Sequence, residues 1–224
     1  MLEAVEGVTM TEAEWLDWSG DPCSMLDPIR DQVSKRKLRL FACACCLRIW
    51  HLLADERSRK AVEVGELFAD GQVDEEELGT ARAAAHAAHF EAATPAILCP
   101  AAHAAACAFY TVTFPAISTF AAANRAAACV GPKKEAEQLE QCRLCRDIFG
   151  NPFRPVAFDP AWRTPEVVAI AQAVYDGRDF GRMPDLADAL KDAGCTNPDI
   201  LSHCRNGGEH VRGYWPIDLL LGRA

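Results

Sequence analysis

Ser34-Lys35-Arg36-Lys37-Leu38-Arg39-Leu40-Phe41-Ala42-Cys43-Ala44-Cys45-Cys46-Leu47-Arg48-Ile49-Trp50 decides the fold class of this chain. A serine before a basic turn is a helix N-cap, because its hydroxyl accepts from a backbone N–H that has no partner inside the helix. Leu38, Phe41, Ala42, Cys45, Ile49 and Leu52 then recur at helical spacing, which predicts an amphipathic helix over Lys35 to Leu53.

The signal repeats in both directions. Thr11-Glu12-Ala13-Glu14 is a capping box ahead of Trp15 and Trp18, and Asp21-Pro22 is an N-cap with proline at the first helical position. Asp55 opens a helix through Val62, Val64 and Phe68 that closes at Gly71, and Asp74 with Glu77 opens an alanine-rich one. Lys133 to Phe149 reads as a polar amphipathic helix. Thr164-Pro165-Glu166, Pro184 to Ala193, Asn197-Pro198 to Cys204 and the run Trp215 to Leu220 predict four further short helices. Alternating strand patterns do not occur. The expected fold is all-α, a compact multi-helix bundle. Its expected divisions are a helical N-terminal body over 1–149, with alanine-rich helices at 81–130, a proline-rich extended strap over 150–163, and a helical C-terminal subdomain over 164–224.

Composition bounds the function. The 224 residues carry 23 Lys+Arg against 32 Asp+Glu, a net charge of −9. That acidic surface disfavours nucleic acid and anionic lipid as partners, leaving a protein partner as the expectation. Ala92 to Asn124 contains no charged residue and is long enough to span a bilayer. Its alanines gain little in lipid and Pro95, Pro100 and Pro115 would break it, so buried small-residue helices are expected and a membrane span is not. The acidic start Met1-Leu2-Glu3-Ala4-Val5-Glu6 lacks a secretory pattern. A cytoplasmic protein with its 11 cysteines reduced is the expectation.

Thr11 to Trp15 with Asp21-Pro22 and Met25-Leu26, Arg36 to Cys46 with Ile49-Trp50-His51, Arg146-Asp147-Ile148-Phe149-Gly150-Asn151-Pro152-Phe153-Arg154-Pro155, and Leu186 to Leu221 together resemble a group of planctomycete-type helical proteins with no known activity. The resemblance covers most of the chain outside the alanine-rich middle. It implies a shared fold and no mechanism. It also implies a Gly-Cys-Trp tail where this chain has Gly213-Tyr214-Trp215, so a thiol at position 214 is dispensable.

Two clusters could carry chemistry. Cys195, His203, Cys204 and His210 are zinc-ligand types in one short segment. His203 and Cys204 are adjacent and point about 100° apart on a helix. A site would therefore use Cys195, one of that pair, His210 and a ligand from elsewhere; buried cysteines and hydrogen-bonded histidines explain the same residues without metal. Cys43, Cys45, Cys46 and His51 form the second cluster, either a metal or thiolate site near Lys37 and Arg48, or small side chains that let helices pack closely. Cys142-Arg143-Leu144-Cys145 falls mid-helix, away from the N-terminus that would stabilise a redox thiolate. His89-Phe90-Glu91 matches half of a zinc deaminase signature whose Pro-Cys-x-x-Cys partner does not occur. No phosphate-cradling glycine loop, G-x-S-x-G or H-E-x-x-H is present. The expected function is a helical interaction or scaffold protein, with a structural zinc in its C-terminal part or with none. The alternatives are a cysteine-based enzyme or redox and metal sensor, and a small-molecule binder lined by the alanine-rich helices.

Overall fold

The computed structural model describes residues 10–92, 115–206 and 210–223. Among these it is all-α: eleven α-helices joined by short 3₁₀ turns, with no strand. In chain order the helices are α1 (Glu12–Asp17), α2 (Pro22–Leu26), α3 (Lys35–Arg48), α4 (Glu56–Ala69), α5 (Glu75–Ala92), α6 (Pro115–Cys129), α7 (Lys134–Phe149), α8 (Pro165–Gly177), α9 (Met183–Asp192), α10 (Pro198–Arg205) and α11 (Trp215–Leu221). No helix among the described residues is long and apolar enough to cross a membrane. Most of the uncharged stretch from Ala92 to Asn124 lies outside the described residues.

The helices begin where local chemistry starts them. Thr11 and Glu14 close a reciprocal capping box on α1, and Asp21, Ser34, Asp55, Thr164 and Asn197 each accept a backbone N–H at the start of α2, α3, α4, α8 and α10. One boundary differs from expectation. α3 stops at Arg48, Ile49 leaves helical geometry at φ −101° and ψ 19°, and Trp50–Leu52 make a 3₁₀ turn. Ile49 and Leu53, on either side of this turn, are buried and His51 is exposed.

α3 is the centre of the first apolar cluster, packed on α4, α6 and α7, with α4 against α5 and α2 against α7. α8 to α11 enclose a second cluster built on Val167, Tyr175, Leu186, Ile200, Tyr214 and Ile217. The strap joins the two. Asn151 Nδ2 donates to Glu12 Oε1 at 2.7 Å at its start, while Val156, Phe158 and Trp162 pack on the second cluster. Arg163 Nε donates to the Leu220 carbonyl at 2.8 Å at its end.

The C-terminal tail is docked on the N-terminal body. Gly213 adopts φ +87°, and a Cβ there would stand 2.9 Å from Leu40 Cδ1, so the close approach of tail and α3 requires glycine. Beside it lies the main polar joint of the molecule. Arg36 on α3 donates to Asp70 at 2.9 Å, to Asp218 through both terminal nitrogens at 2.7 and 3.1 Å, and to the Tyr175 hydroxyl at 2.8 Å. Arg212 and Arg223 add their charges 3.9 and 3.7 Å from Asp70. Buried Glu66 of α4 also pairs with Arg178, which follows α8 in a left-handed conformation. These contacts cross from α3 and α4 to α8 and α11, so the two apolar clusters are held by buried ion pairs as well as by packing.

Candidate functional site

A half-open cleft of about 730 Å³ lies beneath the strap, where the two apolar clusters meet. That volume falls in the range typical of small-molecule sites. Three local decisions shape it. Ser34 caps α3, so the preceding residues Gln32 and Val33 and the first-turn residue Lys37 face the cavity. α7 ends at Gly150, whose φ of +69° turns the chain into the strap and whose carbonyl accepts from Trp15 Nε1 at 3.1 Å. A Cβ at Gly150 would lie 3.3 Å from the Trp215 ring, so this corner also sets how closely α11 approaches. Leu16, Val33, Phe149, Val156, Trp215 and Leu219 provide apolar wall, and Ser202 and His203 of α10 line the far side.

The charges facing the cleft are unequally satisfied. Glu12 pairs with Arg154 at 2.9 Å, and Asp218 is held by Arg36. Burial pushes the Asp218 carboxyl up and the Arg36 bonds oppose it, leaving it above its ordinary value. Arg223 stacks 4.2 Å over the Tyr175 ring. Lys37 Nζ and Arg146 are different. Lys37 donates to the Ile148 carbonyl at 2.8 Å, and Arg146 donates to the carbonyls of Trp15 and Trp18 at 3.0 and 2.6 Å. Neither ion pairs with a carboxylate among the described residues. Burial pushes Lys37 below the ordinary lysine value, partly offset by the charge of Asp218.

Of the four residues expected to hold zinc, the structure brings His203 and His210 together with Asp147 of α7. His210 Nδ1 lies 3.1 Å from one Asp147 oxygen in a hydrogen bond. His203 Nε2 is 3.3 Å from the other, within ion-pair reach but off a good hydrogen-bond line. Burial pushes Asp147 up, and its bonds and charge contacts with the two imidazoles outweigh that and hold it below the usual carboxylate range. The His203 ring stacks on Tyr214, with centroids 5.1 Å apart, and Tyr214 donates back to the His203 carbonyl. Cys195 and Cys204 are core residues of the second cluster, and burial pushes the Cys204 thiol up to about 12. Among the described residues no group of three or more His, Cys, Asp or Glu side chains is placed to hold a metal ion.

The second cysteine cluster is core. Cys43, Cys45 and Cys46 are fully buried, whereas His51 is exposed, so the imidazole and the thiols face different surroundings. Burial pushes Cys43, Cys45 and Cys145 well above the ordinary thiol value and Cys142 to about 11. Cys142 and Cys145 lie inside α7 and not at a helix N-terminus. His89, of the partial deaminase match, is buried next to an exposed Phe90 on α5.

Sequence reasoning did not single out Asp147, Arg146 or the Arg36–Asp70–Tyr175–Asp218 joint. Two signals pointed toward them. The first turn of α3 holds Lys35, Arg36 and Lys37 and no acid, the reverse of what a helix N-terminus favours. Asp218 is the one charge in the apolar run Trp215 to Leu221. Comparison of the chain with protein-family models, with curated proteins and with solved structures finds no match.

Proposed function

We propose that this protein is a helical binding protein whose ligand is a small molecule held in the cleft beneath the strap. The observation that carries the reading is the cleft itself: about 730 Å³ of half-enclosed space whose wall area is mainly apolar, with polar and charged side chains from both apolar clusters and the strap interspersed. This moves the expected ligand site from the alanine-rich helices to the junction of the two apolar clusters. A thiol-based activity is disfavoured by the burial of Cys43, Cys45 and Cys46, because a thiolate is the reactive form and burial suppresses it.

The neutral, environment-sensitive dye Nile red tests the reading. It should bind with one-to-one saturation and a blue shift. Val33→Trp, which fills the cleft from the loop before α3, should abolish that binding while leaving the melting temperature within a few degrees. Absence of saturable binding, or unchanged binding by Val33→Trp, would overturn the reading.

A further inference from the structure

We infer that the cleft is built for an apolar molecule ending in a single carboxylate, and that Lys37 Nζ is the group that holds it. The inference rests on the cleft being a ligand site and adds the chemistry of the ligand.

The argument is one of unmatched charge. An ammonium has three donors, and the Ile148 carbonyl takes one of them at 2.8 Å, leaving two N–H groups for an acceptor in the cleft. A partly buried charge whose only hydrogen bond is to a neutral carbonyl is unfavourable unless something neutralises it, and the nearby charge of Asp218 does so only in part. The carboxylates nearby are committed: Glu12 to Arg154 and Asn151, Asp218 to both terminal nitrogens of Arg36. Asp199, on the rim, is solvent-exposed. Arg146 stands in the same condition as Lys37, a cation bonded only to the carbonyls of Trp15 and Trp18. The cleft therefore holds two cations that touch no carboxylate among the described residues and feel those of Asp218 and Asp17 only through space, in a chain whose net charge is −9.

Position sharpens the case. Lys37 lies in the first turn of α3, where the helix already presents its positive end, so the local field favours an anion. Burial lowers the affinity of Lys37 for its proton, the charge of Asp218 offsets this only in part, and a bound carboxylate would raise it. Phe149, Val156, Trp215 and Leu219 then leave an apolar body as the rest of the ligand. The other arginines of the lining are engaged, Arg154 by Glu12 and Arg223 by Asp70 and the Tyr175 ring, so one compact carboxylate suits this arrangement better than a polyanion.

The probes are 2-naphthylacetate and 2-naphthylethanol, matched in ring and differing in the anionic group, titrated calorimetrically into the full chain. The acid should bind at least about tenfold tighter than the alcohol, and its advantage should shrink as salt rises. Lys37→Met should bring the two affinities together, the acid falling to the affinity of the alcohol. Should that variant fail to fold, the wild-type protein decides by another route: the acid, and not the alcohol, should protect Lys37 from acylation by an amine-reactive reagent, read by peptide mass. Equal affinities for acid and alcohol, or an acid preference that survives Lys37→Met, would overturn the inference and leave the cleft reading standing. Nile red binding without naphthyl binding would do the same. Failure of Nile red to bind would instead remove the cleft reading itself.

Discussion

Replacing Arg36 by methionine tests the joint between the two apolar clusters. The substitution keeps the stem and removes the charge from a side chain only 14% exposed. Its two carboxylate partners are not left alike. Asp70 retains the Tyr175 hydroxyl at 2.7 Å and the charges of Arg212 and Arg223. Asp218, 2% exposed, loses both of its hydrogen bonds to a side chain and keeps only the field of Lys37. Stranding one partner of a buried ion pair costs about 3–5 kcal/mol. In a chain of this size that corresponds to a fall in melting temperature on the order of 10 °C. Removing the stranded charge as well, in Arg36→Met/Asp218→Leu, should recover most of the loss, since an apolar pair of similar volume often matches a buried ion pair.

The pH dependence has a definite sign. Burial, opposed by Arg36, already holds the folded-state Asp218 carboxyl above its unfolded value. Ionising it therefore draws on stability as pH rises from the unfolded value through the folded one. Without Arg36 the shift grows, so the penalty of Arg36→Met should be small near pH 4 and largest at neutrality. Urea titrations of wild type, both single variants and the double variant, at pH 4.5 and 7.5, measure this. A penalty under about 1 kcal/mol, single effects that add within about 0.5 kcal/mol, or a loss independent of pH would refute the reasoning.

Gly213→Ala should cost about 1–3 kcal/mol in urea unfolding, because φ is +87° and the new methyl would press on Leu40 Cδ1 within packed core. Asp147→Asn should destabilise by about 1–2 kcal/mol at pH 7, through the loss of a charged hydrogen bond to His210. Because the folded-state carboxyl of Asp147 is held below its unfolded value, its contribution is present above the unfolded value and lost as pH falls through the folded one. The gap between wild type and variant should accordingly narrow as pH falls below the unfolded carboxyl value of about 3.9, in acid titrations followed by circular dichroism. Cys43, Cys45 and Cys145, pushed well above the ordinary thiol range by burial, should react with a disulfide reagent only at the rate of unfolding. Rapid labelling of the native protein at these positions would revive a thiol-based activity.

Which parts were legible in the sequence follows from the range over which each interaction acts. Thr11, Asp21, Ser34, Asp55, Thr164 and Asn197 cap helices as their neighbours imply, because a cap is settled within four residues. The end of α3 was not legible. The apolar period runs on through Leu52 without glycine or proline, yet Ile49 leaves helical geometry and Trp50–Leu52 form a 3₁₀ turn that no local signal announces. His203 and His210 were visible as a pair of the same chemistry, yet their shared partner Asp147 comes from α7, 63 residues before His210. Cysteine spacing suggested chemistry at Cys43–Cys46 and is explained by close packing of α3 against α6 and α7. Lys37 and Arg146 become a site only when the ends of α3 and α7 meet, which no local pattern encodes.

The first turn of α3 links the joint to the cleft. Successive residues on a helix project about 100° apart, so Arg36 and Lys37 necessarily face different surfaces. Arg36 turns toward Asp70 and Asp218, and Lys37 toward the cavity beside Ile148. Fixing Arg36 with five hydrogen bonds to Asp70, Asp218 and Tyr175 thus fixes the rotation of the turn that aims Lys37. Asp218 completes the link, since it takes the Arg36 charge while its own helix, α11, supplies Trp215 and Leu219 to the cleft wall. A ligand that neutralised Lys37 would act on the same turn. Its binding should therefore raise the unfolding free energy by the ordinary linkage term, about 2.7 kcal/mol at a hundredfold excess over Kd. It would do so with little movement of the backbone, because the ion pairs already hold the turn in the required orientation.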